Sequence, residues 1–284
     1  KGNDIVNPIN TLWTLLAAFL VFGMQVGFTM LEAGFCRSRE TVNVLMECVV
    51  DTCLCGLLFY AWGFAFMFSH GNGLIGLNWF FLKDAPATYE TTGVAFLAYW
   101  LFQFAFADTC STITSGAMIG RTAWIGDLVY SFFVSGFIYP IIGHWAWGPD
   151  GFLATMGSKD GFLPWVGTSF HDFAGSVVVH AVGGWIALPA VLLVGARHNR
   201  YRRGGGMSVH PPSSIPFLAL GAWILMVGWF GFNVMSAQTL DKISGLVAVN
   251  SLMAMVGGTL AALVMGRNDP GFVHNGPLAG LVAV

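Results

Sequence analysis

Long apolar segments separated by short polar loops make up most of this 284-residue chain. A helix needs roughly 20 mostly apolar residues to cross the hydrocarbon core of a bilayer. Seven segments have this length, and an eighth starts near Pro277 and runs to the last residue, Val284. The pattern therefore predicts membrane-crossing helices over 11–35, 43–68, 93–119, 125–147, 173–195, 214–239 and 244–266.

The composition favours a membrane protein over a soluble one. Hydrophobic residues make up 56% of the chain and charged residues 9%, whereas a typical soluble domain is about 25% charged. Because the composition does not shift along the chain, we predict one domain over 1–284, an all-α polytopic membrane protein embedded in a lipid bilayer. The last segment stops at Val284 without a polar end, which predicts that the domain continues beyond it.

The loop charges predict an orientation. The arginines all fall in loops after the first, third, fifth and seventh helices, whereas the lysines fall on the other side. Because positive charge accumulates in cytoplasmic loops, this places the arginine face in the cytoplasm and the N-terminus outside a plasma or inner membrane. No basic patch points to nucleic acid as a partner. The two sets are Arg37, Arg39, Arg121, Arg197, Arg200, Arg202, Arg203 and Arg267, and Lys1, Lys83, Lys159 and Lys242.

One histidine lies inside a membrane-length apolar segment. The stretch from Asp172 to His180 reads Asp-Phe-Ala-Gly-Ser-Val-Val-Val-His and continues as apolar residues to about Gly195. An ionisable side chain in such a segment is costly and usually faces a pore or a partner. At 1.5 Å per helical residue, His180 is expected about 12 Å deeper than Asp172. A neutral imidazole in an apolar passage can relay a proton.

Aromatic residues surround the expected outer end of this helix. Phe102 and Phe106 are four residues apart and share a helix face, and Trp147 closes the fourth segment. Three more candidates lie in the outer half of the sixth segment: Trp229, Phe232 and Ser236. Aromatic faces attract a small cation by about 0.5–2 kcal/mol, and a hydroxyl accepts a hydrogen bond from an N–H cation. The alternative interpretation is that these residues pack the bundle or anchor it at the membrane interface.

Six motifs together resemble the ammonium transporter (Amt/Mep/Rh) family, and within it the Amt branch. They are Thr29-Met-Leu-Glu-Ala-Gly-Phe, Asn43-Val-Leu-Met, Phe102-Gln-Phe-Ala-Phe-Ala, Gly143-His-Trp-Ala-Trp-Gly, Asp172-Phe-Ala-Gly-Ser-Val-Val-Val-His and Gly228-Trp-Phe-Gly-Phe-Asn. The resemblance implies an ammonium-transporter-type helical bundle of eleven helices with an inverted repeat. About seven and a half of those helices would lie in this chain, and the protein would be a homotrimer with one pore in each subunit.

The resemblance also implies a function and a site. The function is transmembrane transport without an enzyme activity, a cofactor or a metal: ammonium is recruited outside and deprotonated, and ammonia and the proton pass inward. It implies that His180 is the first of two pore histidines that carry the proton. The other implied residues are an outer recruitment site of Phe102, Phe106, Trp147 and Ser236, a gate of Phe106 and Phe232, the pore-lining Trp229, and Asp172 as structural support.

Two departures from the family pattern leave alternatives open. Asp108 lies two residues after Phe106, where family members usually have a small residue. It is either a packing acid bonded to a hydroxyl such as that of Thr109, or an extra contact for the cation. The second pore histidine of the family would fall beyond Val284.

An ammonium sensor of the same fold is the alternative function. It would bind ammonium with little or no transport and signal to a fused cytosolic domain or a regulatory protein, and an acid at Asp108 would suit it. A gas channel, as in the Rh branch, is a third interpretation.

Other polar residues in the predicted helices receive structural interpretations. Glu32 is expected to form hydrogen bonds that support packing. Glu47 and Asp51 are four residues apart on one helix face, where like charges repel. We therefore expect them to line a polar surface between helices or subunits, or one of them to be protonated. His144 is expected to be an ordinary histidine near a membrane boundary.

Overall fold

The computed structural model describes residues 6–89, 92–202 and 204–284, and its regular structure is almost all helical. The α-helices are α1 (Pro8–Phe35), α2 (Thr41–Leu58), α3 (Phe64–Phe68), α4 (Phe96–Met118), α5 (Trp124–Phe133), α6 (Tyr139–Trp147), α7 (Val182–Val194), α8 (Ile215–Met235), α9 (Lys242–Met265) and α10 (Pro270–Val282). Two short antiparallel strands, β1 (Thr88–Tyr89) and β2 (Val94–Ala95), pair before α4.

Three π-helical segments join neighbouring α-helices into longer spans. They are Phe59–Gly63 between α2 and α3, Val134–Ile138 between α5 and α6, and Ser176–Ala181 before α7. Single 3₁₀ turns at Ser38–Glu40, Phe80–Leu82 and Pro164–Val166 lie outside these junctions. A π segment adds a residue to a helical turn and often marks a functional site.

The seven predicted membrane segments are all helical, with ends that differ by a few residues. Five boundaries differ by more than two residues: the starts predicted at 11, 93, 173 and near 277, and the end predicted at 239. The segment predicted from 173 begins at Ser176, because the preceding residues form a capping turn. The last helix begins at Pro270 rather than near Pro277, since the Asp269 side chain accepts the amide of Phe272 and caps it there.

Among the described residues, six helical spans are long and apolar enough to cross a membrane. The spans are Pro8–Phe35, Ser38–Phe68, Trp124–Trp147, Ser176–Val194, Ile215–Met235 and Lys242–Met265. Helix α4 is not among them because it carries Gln103, Asp108 and a run of hydroxyl residues, yet 17 of its 23 residues are buried. The chain is thus an all-α, multi-pass membrane bundle with α4 at its centre.

Small residues allow α1 and α8 to pack closely. A Cβ atom added to Gly34 of α1 would lie 2.8 Å from the Cα of Leu218. On the α8 side, a Cβ atom at Gly231 would lie 3.1 Å from the Ala17 carbonyl oxygen. Close backbone approach at small residues stabilises helix pairs in membranes, where the hydrophobic effect does not drive association. This pair holds α8, and therefore Trp229 and Phe232, against the bundle.

The arginine-bearing loops meet at one end of the bundle. Arg37 donates to the His198 carbonyl oxygen at 2.7 Å, and Arg121 donates to the Gly195 carbonyl oxygen at 2.9 Å. Burial lowers the pKa of the Arg197 guanidinium, and the nearby Arg121 lowers it further.

The lysine-bearing loops 69–92 and 148–171 meet at the opposite end, where the Phe152 amide donates to the Gly73 carbonyl oxygen at 2.9 Å. Lys1 and Arg203, which also entered the predicted orientation, lie outside the described residues.

Candidate functional site

A small pocket lies at the lysine-bearing end of the bundle. It has a volume of about 260 Å³ and brings together five of the predicted site residues. Its lining is Tyr99, Phe102, Gln103, Phe106, Ala146, Trp147, Phe170, His171, Asp172, Phe173, Ser236 and Gln238. We call this cavity the outer pocket. Sequence reasoning missed Gln103 and Gln238, although Gln103 stands inside the motif that contains Phe102 and Phe106.

Three aromatic rings form one wall of the outer pocket. The centroids of Phe102 and Phe106, one turn apart on α4, are 4.6 Å apart. The ring of Trp147, the last residue of α6, lies 6.2 Å from Phe106. The Trp147 indole N–H donates to the Asp172 carbonyl oxygen at 2.7 Å, which fixes the ring in place. These faces can stabilise a small cation.

Ser236 supplies a hydroxyl to the same pocket. Its Oγ donates to the Phe232 carbonyl oxygen at 2.8 Å, one turn back along α8. This bond uses the only hydroxyl proton, so the lone pairs of Oγ remain available as acceptors. The arrangement suits a cation that carries N–H donors.

Asp172 supports the pocket through the backbone. Its Oδ1 accepts the Gly175 amide at 2.9 Å, and its Oδ2 accepts the amides of Val177 and Val178 at 3.1 and 2.8 Å. Gly175 has φ of 100°, a left-handed conformation that favours glycine. The carboxylate therefore caps the π-helical segment. Because Asp172 lies outside the helix, the expected 12 Å separation from His180, which assumed an unbroken α-helix, does not apply.

A stacked pair of phenylalanines closes the outer pocket from below. The rings of Phe106 and Phe232 are 3.8 Å apart and inclined by 11°. Each residue is 1% exposed. The Phe232 ring in turn lies 5.6 Å from His180 and 5.9 Å from Trp229. The pair thus separates the pocket from the histidine.

His180 is held in one orientation within its π-helical segment. Its Nδ1 lies 3.1 Å from the Gly175 carbonyl oxygen, which can only accept, so Nδ1 carries the proton of the neutral ring. The ring stacks on Trp229 at 5.2 Å and 20°. Among the described residues, Nε2 has no hydrogen-bond partner. A buried ring nitrogen with a free lone pair can accept a proton from a passing group.

A larger cavity of about 760 Å³ begins at His180 and Trp229 and reaches the arginine-bearing end. Apolar side chains such as Phe28, Leu31 and Ile113 line most of it, and Arg37 and Arg197 lie at its mouth. The outer pocket, the stacked phenylalanines, His180 and this inner cavity therefore follow one another through the bundle.

Asp108 lies on the other side of α4. The residue is fully buried but does not line the outer pocket, and it faces Asp51 and Thr52 of α2 instead. The expected bond to Thr109 is wrong, because the Thr109 hydroxyl donates to the Ala105 carbonyl oxygen at 2.8 Å. The extra cation contact of Asp108 stays a prediction, and in this structure its side chain is not among those that line the outer pocket.

The remaining buried acids pair with hydroxyl groups. Ser111 donates to Asp51 at 2.8 Å, and Ser115 donates to Glu32 at 3.0 Å. Glu47 accepts a hydrogen bond from Tyr130, so the polar surface between helices that we expected for Glu47 and Asp51 is present. A further acid, Asp127, accepts from Thr122. We call Glu32, Glu47, Asp51, Asp108 and Asp127 the acid network.

Comparisons with known proteins show which family this chain is similar to. A family model described as the Ammonium Transporter Family matches residues 12–284. The ammonium transporter Amt2 of Archaeoglobus fulgidus is 39% identical over 289 residues, which cover 98% of this chain and 59% of that protein. Ammonium transporter 1 member 3 of Solanum lycopersicum is 35% identical, with 99% of this chain and 63% of that protein covered.

Solved structures have the same fold. A structure titled Sensor Amt Protein superposes with a TM-score of 0.86 and 36% identity over 97% of this chain and 67% of its own. Mep2 of Candida albicans has a TM-score of 0.85 and 25% identity, covering 99% of this chain and 61% of its own. The chain thus spans about three fifths of the length of the curated relatives it matches.

Proposed function

This chain belongs to the ammonium transporter family, and we propose that its full-length protein moves ammonium across a membrane. Ammonium enters the outer pocket and gives up a proton there to a water molecule, which passes it on toward Nε2 of His180. Ammonia then passes the Phe106–Phe232 pair to His180, and the proton is carried inward through the pore histidines. The chemistry is transport rather than catalysis of a covalent reaction.

The stacked pair between the outer pocket and His180 is the observation that carries this proposal. A hydrated cation cannot pass two rings in van der Waals contact, and stripping its water in an apolar passage is costly. The faces of Phe102, Phe106 and Trp147 offset part of that cost in the outer pocket, where the Ser236 hydroxyl accepts an N–H bond. A neutral molecule crosses the pair at much lower cost once the proton has left.

The residue roles follow from this route. Phe102, Phe106, Trp147 and Ser236 recruit the cation, while Asp172 holds the backbone that supports Trp147. Phe106 and Phe232 form the gate. Trp229 orients the His180 ring by stacking, and Nε2 of His180 receives the proton.

Current recordings from full-length protein in liposomes on a solid support test the proposal. A jump in ammonium concentration should give a saturable current that sodium and potassium jumps of the same size do not give. Currents of equal size for all three ions would overturn the selectivity that the outer pocket implies. A matched jump on protein-free liposomes supplies the baseline.

A sensor is the second candidate function, because the Sensor Amt Protein structure shares 36% identity over 97% of this chain. The position of Asp108 outside the outer pocket removes the support that this acid would have given to a sensor. Ammonium binding measured by calorimetry, without a sustained current, would favour the sensor. A signalling domain after residue 284 in the full-length sequence would point the same way.

The orientation and the surroundings of the domain form part of the proposal. The domain, which includes residues 1–284, lies in a plasma or inner membrane with the outer pocket and the N-terminus outside, as the arginine-rich end implies. A membrane-impermeant maleimide added to intact cells should label Lys159→Cys and leave Arg200→Cys unlabelled. The reverse pattern would invert the direction of transport.

We also propose a homotrimer, with a cytosolic regulatory protein or a fused signalling domain acting on the arginine-bearing end. Support comes from the family resemblance and from the exposed guanidinium-rich surface around Arg200 and Tyr201. Native mass spectrometry of the full-length protein should give a mass three times that of one chain; a monomer mass would contradict the assembly.

A further inference from the structure

His144 of α6 makes contacts that set its charge. Its Nδ1 lies 2.9 Å from the Met67 carbonyl oxygen, and its Nε2 lies 2.8 Å from the Asn72 carbonyl oxygen. A carbonyl oxygen only accepts hydrogen bonds, and a neutral imidazole has a hydrogen on one nitrogen alone. Either neutral tautomer would hold a lone pair against an oxygen at hydrogen-bond distance. Only the imidazolium ion satisfies both contacts.

Two further groups favour the cation. Nε2 also lies 3.5 Å from Oδ1 of Asp150, which is the acid in ion-pair range of His144 among the described residues. Met67 belongs to the last turn of α3, where carbonyl groups lack helical partners and the helix dipole favours a positive charge. The ring is fully buried, so these groups take the place of water around it.

The contacts join two outer loops behind Trp147. Oδ2 of Asp150, in the loop after α6, accepts the Gly71 amide at 2.9 Å. The neighbouring Trp145 indole donates to the Leu74 carbonyl oxygen at 3.1 Å. Loop 69–78 is thus tied to the end of α6 on both sides of His144. Trp147 is one turn further along the same helix, with its ring in the outer pocket.

We propose that His144 is a buried imidazolium ion, paired with Asp150, that acts as a positioning residue for Trp147 of the outer pocket. The charge holds α6 and both loops in register, so the Trp147 ring meets Phe106 and the Asp172 carbonyl oxygen at the distances observed. Sequence reasoning had treated this histidine as an ordinary boundary residue. The role of His144 in positioning Trp147 rests on the proposed function of the outer pocket. The proposed charge of the His144 ring is independent of that function.

Nitrogen NMR of the ring tests the charge without any transport measurement. Within residues 1–284, Gly143–His144 is the one Gly–His pair. Labelling glycine carbonyl carbon and histidine nitrogen in full-length protein in lipid bilayers therefore simplifies the spectrum, and the signal that disappears in His144→Asn is that of His144. At neutral pH both ring nitrogens should show protonated shifts. A bare nitrogen at His144 would overturn the proposal.

A pair of matched variants tests the positioning. Asp150→Asn removes the partner charge, and Asp160→Asn makes the same change at an exposed position in the same loop. In Asp150→Asn the ammonium concentration for half-maximal current should rise about tenfold, as expected when a binding group is slightly misplaced. The maximal current should fall much less, and Asp160→Asn should match the wild type. Equal values for all three proteins would contradict the positioning role.

The NMR test of the charge and the current test of the positioning role can fail independently of each other. If the wild type neither binds nor carries ammonium, the proposed function fails while the NMR result still decides the charge. If Asp150→Asn reduces the protein yield, its NMR spectrum decides whether the His144 ring has lost a proton. A ring that stays doubly protonated without Asp150 would show that the carbonyl oxygens alone hold the charge, which would contradict the ion pair.

Discussion

Helix α4 buries different chemistry on its two sides. The side with Phe102 and Phe106 faces the outer pocket and leads to His180, whose Nε2 lacks a hydrogen-bond partner among the described residues. The opposite side carries Ser111 and Ser115, whose hydroxyls donate to carboxyl groups of the acid network. One side thus leaves the His180 ring nitrogen open, whereas the other side pairs Asp51 and Glu32 with hydroxyl donors, although neither carboxyl oxygen of Asp108 has a partner among the described residues.

On the proposed function, this difference separates side chains that serve transport from side chains that only hold helices together. A group that must exchange a proton needs an open lone pair at the moment the substrate arrives. A group that only holds helices together is more stable when its hydrogen bonds are complete. The described ion pairs leave the acid network without a lysine or arginine partner, and hydroxyl donors stabilise four of its five acids, all except Asp108. We therefore expect substitutions on the two sides to affect different measurements.

The largest effect on transport is expected for His180→Ala. Loss of the ring should reduce the ammonium current by about 100-fold or more, since a positioned proton acceptor contributes about 10²–10⁴-fold. Ammonium binding in the outer pocket should persist, because its residues do not depend on the ring. Current and binding are measured on the same liposome preparation.

The control for this change is His70→Ala, which removes an exposed histidine from an outer loop and should keep the full current. Lost binding combined with an intact current in His180→Ala would reverse the assigned roles of the two sites.

Phe232→Ala should have the next largest effect, on both stability and selectivity. Removing a buried phenylalanine costs about 3–5 kcal/mol in a packed core, and here it also opens the stacked pair. The thermal unfolding midpoint in detergent should fall, and potassium flux should rise above the wild-type level.

Phe19→Ala provides the comparison for the gate, because Phe19 is a largely exposed phenylalanine of α1. Its effects on stability and flux should both be small. A Phe232→Ala protein that still rejects potassium would show that the stacked pair is not the selective barrier.

Asp51→Ala is expected to affect stability alone. The change leaves the Ser111 hydroxyl without its acceptor, and an unsatisfied buried polar group costs about 1–3 kcal/mol. The half-saturating ammonium concentration should not change. Asp160→Ala, at an exposed loop position, should lie within about 0.5 kcal/mol of the wild type. A changed half-saturation in Asp51→Ala would connect Asp51 to the pore, as Glu32 of the acid network already lines the inner cavity.

The smallest effect is expected for Asp108→Asn. Among the described residues, neither carboxyl oxygen of Asp108 has a hydrogen-bond partner, so an amide of the same shape loses no contact. Current, half-saturation and unfolding midpoint should all stay near wild-type values. A drop of about tenfold in ammonium affinity would show that this acid acts on the cation from the far side of α4. The two sides of α4 would then not have separate roles.

The sequence was sufficient for the helices and for five of the twelve residues that line the outer pocket. Apolar length sets where a chain can cross a bilayer, and the family motifs supplied Phe102, Trp147 and Ser236. The direction of Asp108 could also have been predicted. A step of two residues along a helix is a rotation of about 200°. Asp108, two residues after Phe106, is therefore on the side of α4 opposite to Phe106.

Other features had no local signal in the sequence. The bonds of His144 reach back 72 and 77 residues, so its charge depends on loops that meet only in the folded chain. The cap that Asp172 forms depends on the left-handed Gly175. The π-helical segments escaped prediction because one extra residue in a turn hardly alters an apolar pattern.

The π-helical segment Ser176–Ala181 makes the pore sensitive to chain length. An α-helical turn would need one residue fewer here, so deleting Val178 would let the segment relax into an α-helix. Residues outside the segment would keep their orientation relative to α7, because a π turn holds its extra residue within one turn, but His180 would lose its present spacing from the Gly175 carbonyl oxygen, five residues back. Substitutions that keep the residue count would leave that spacing intact. An insertion or deletion between Gly175 and Val182 is therefore a change of pore geometry even when every inserted or deleted residue is a valine.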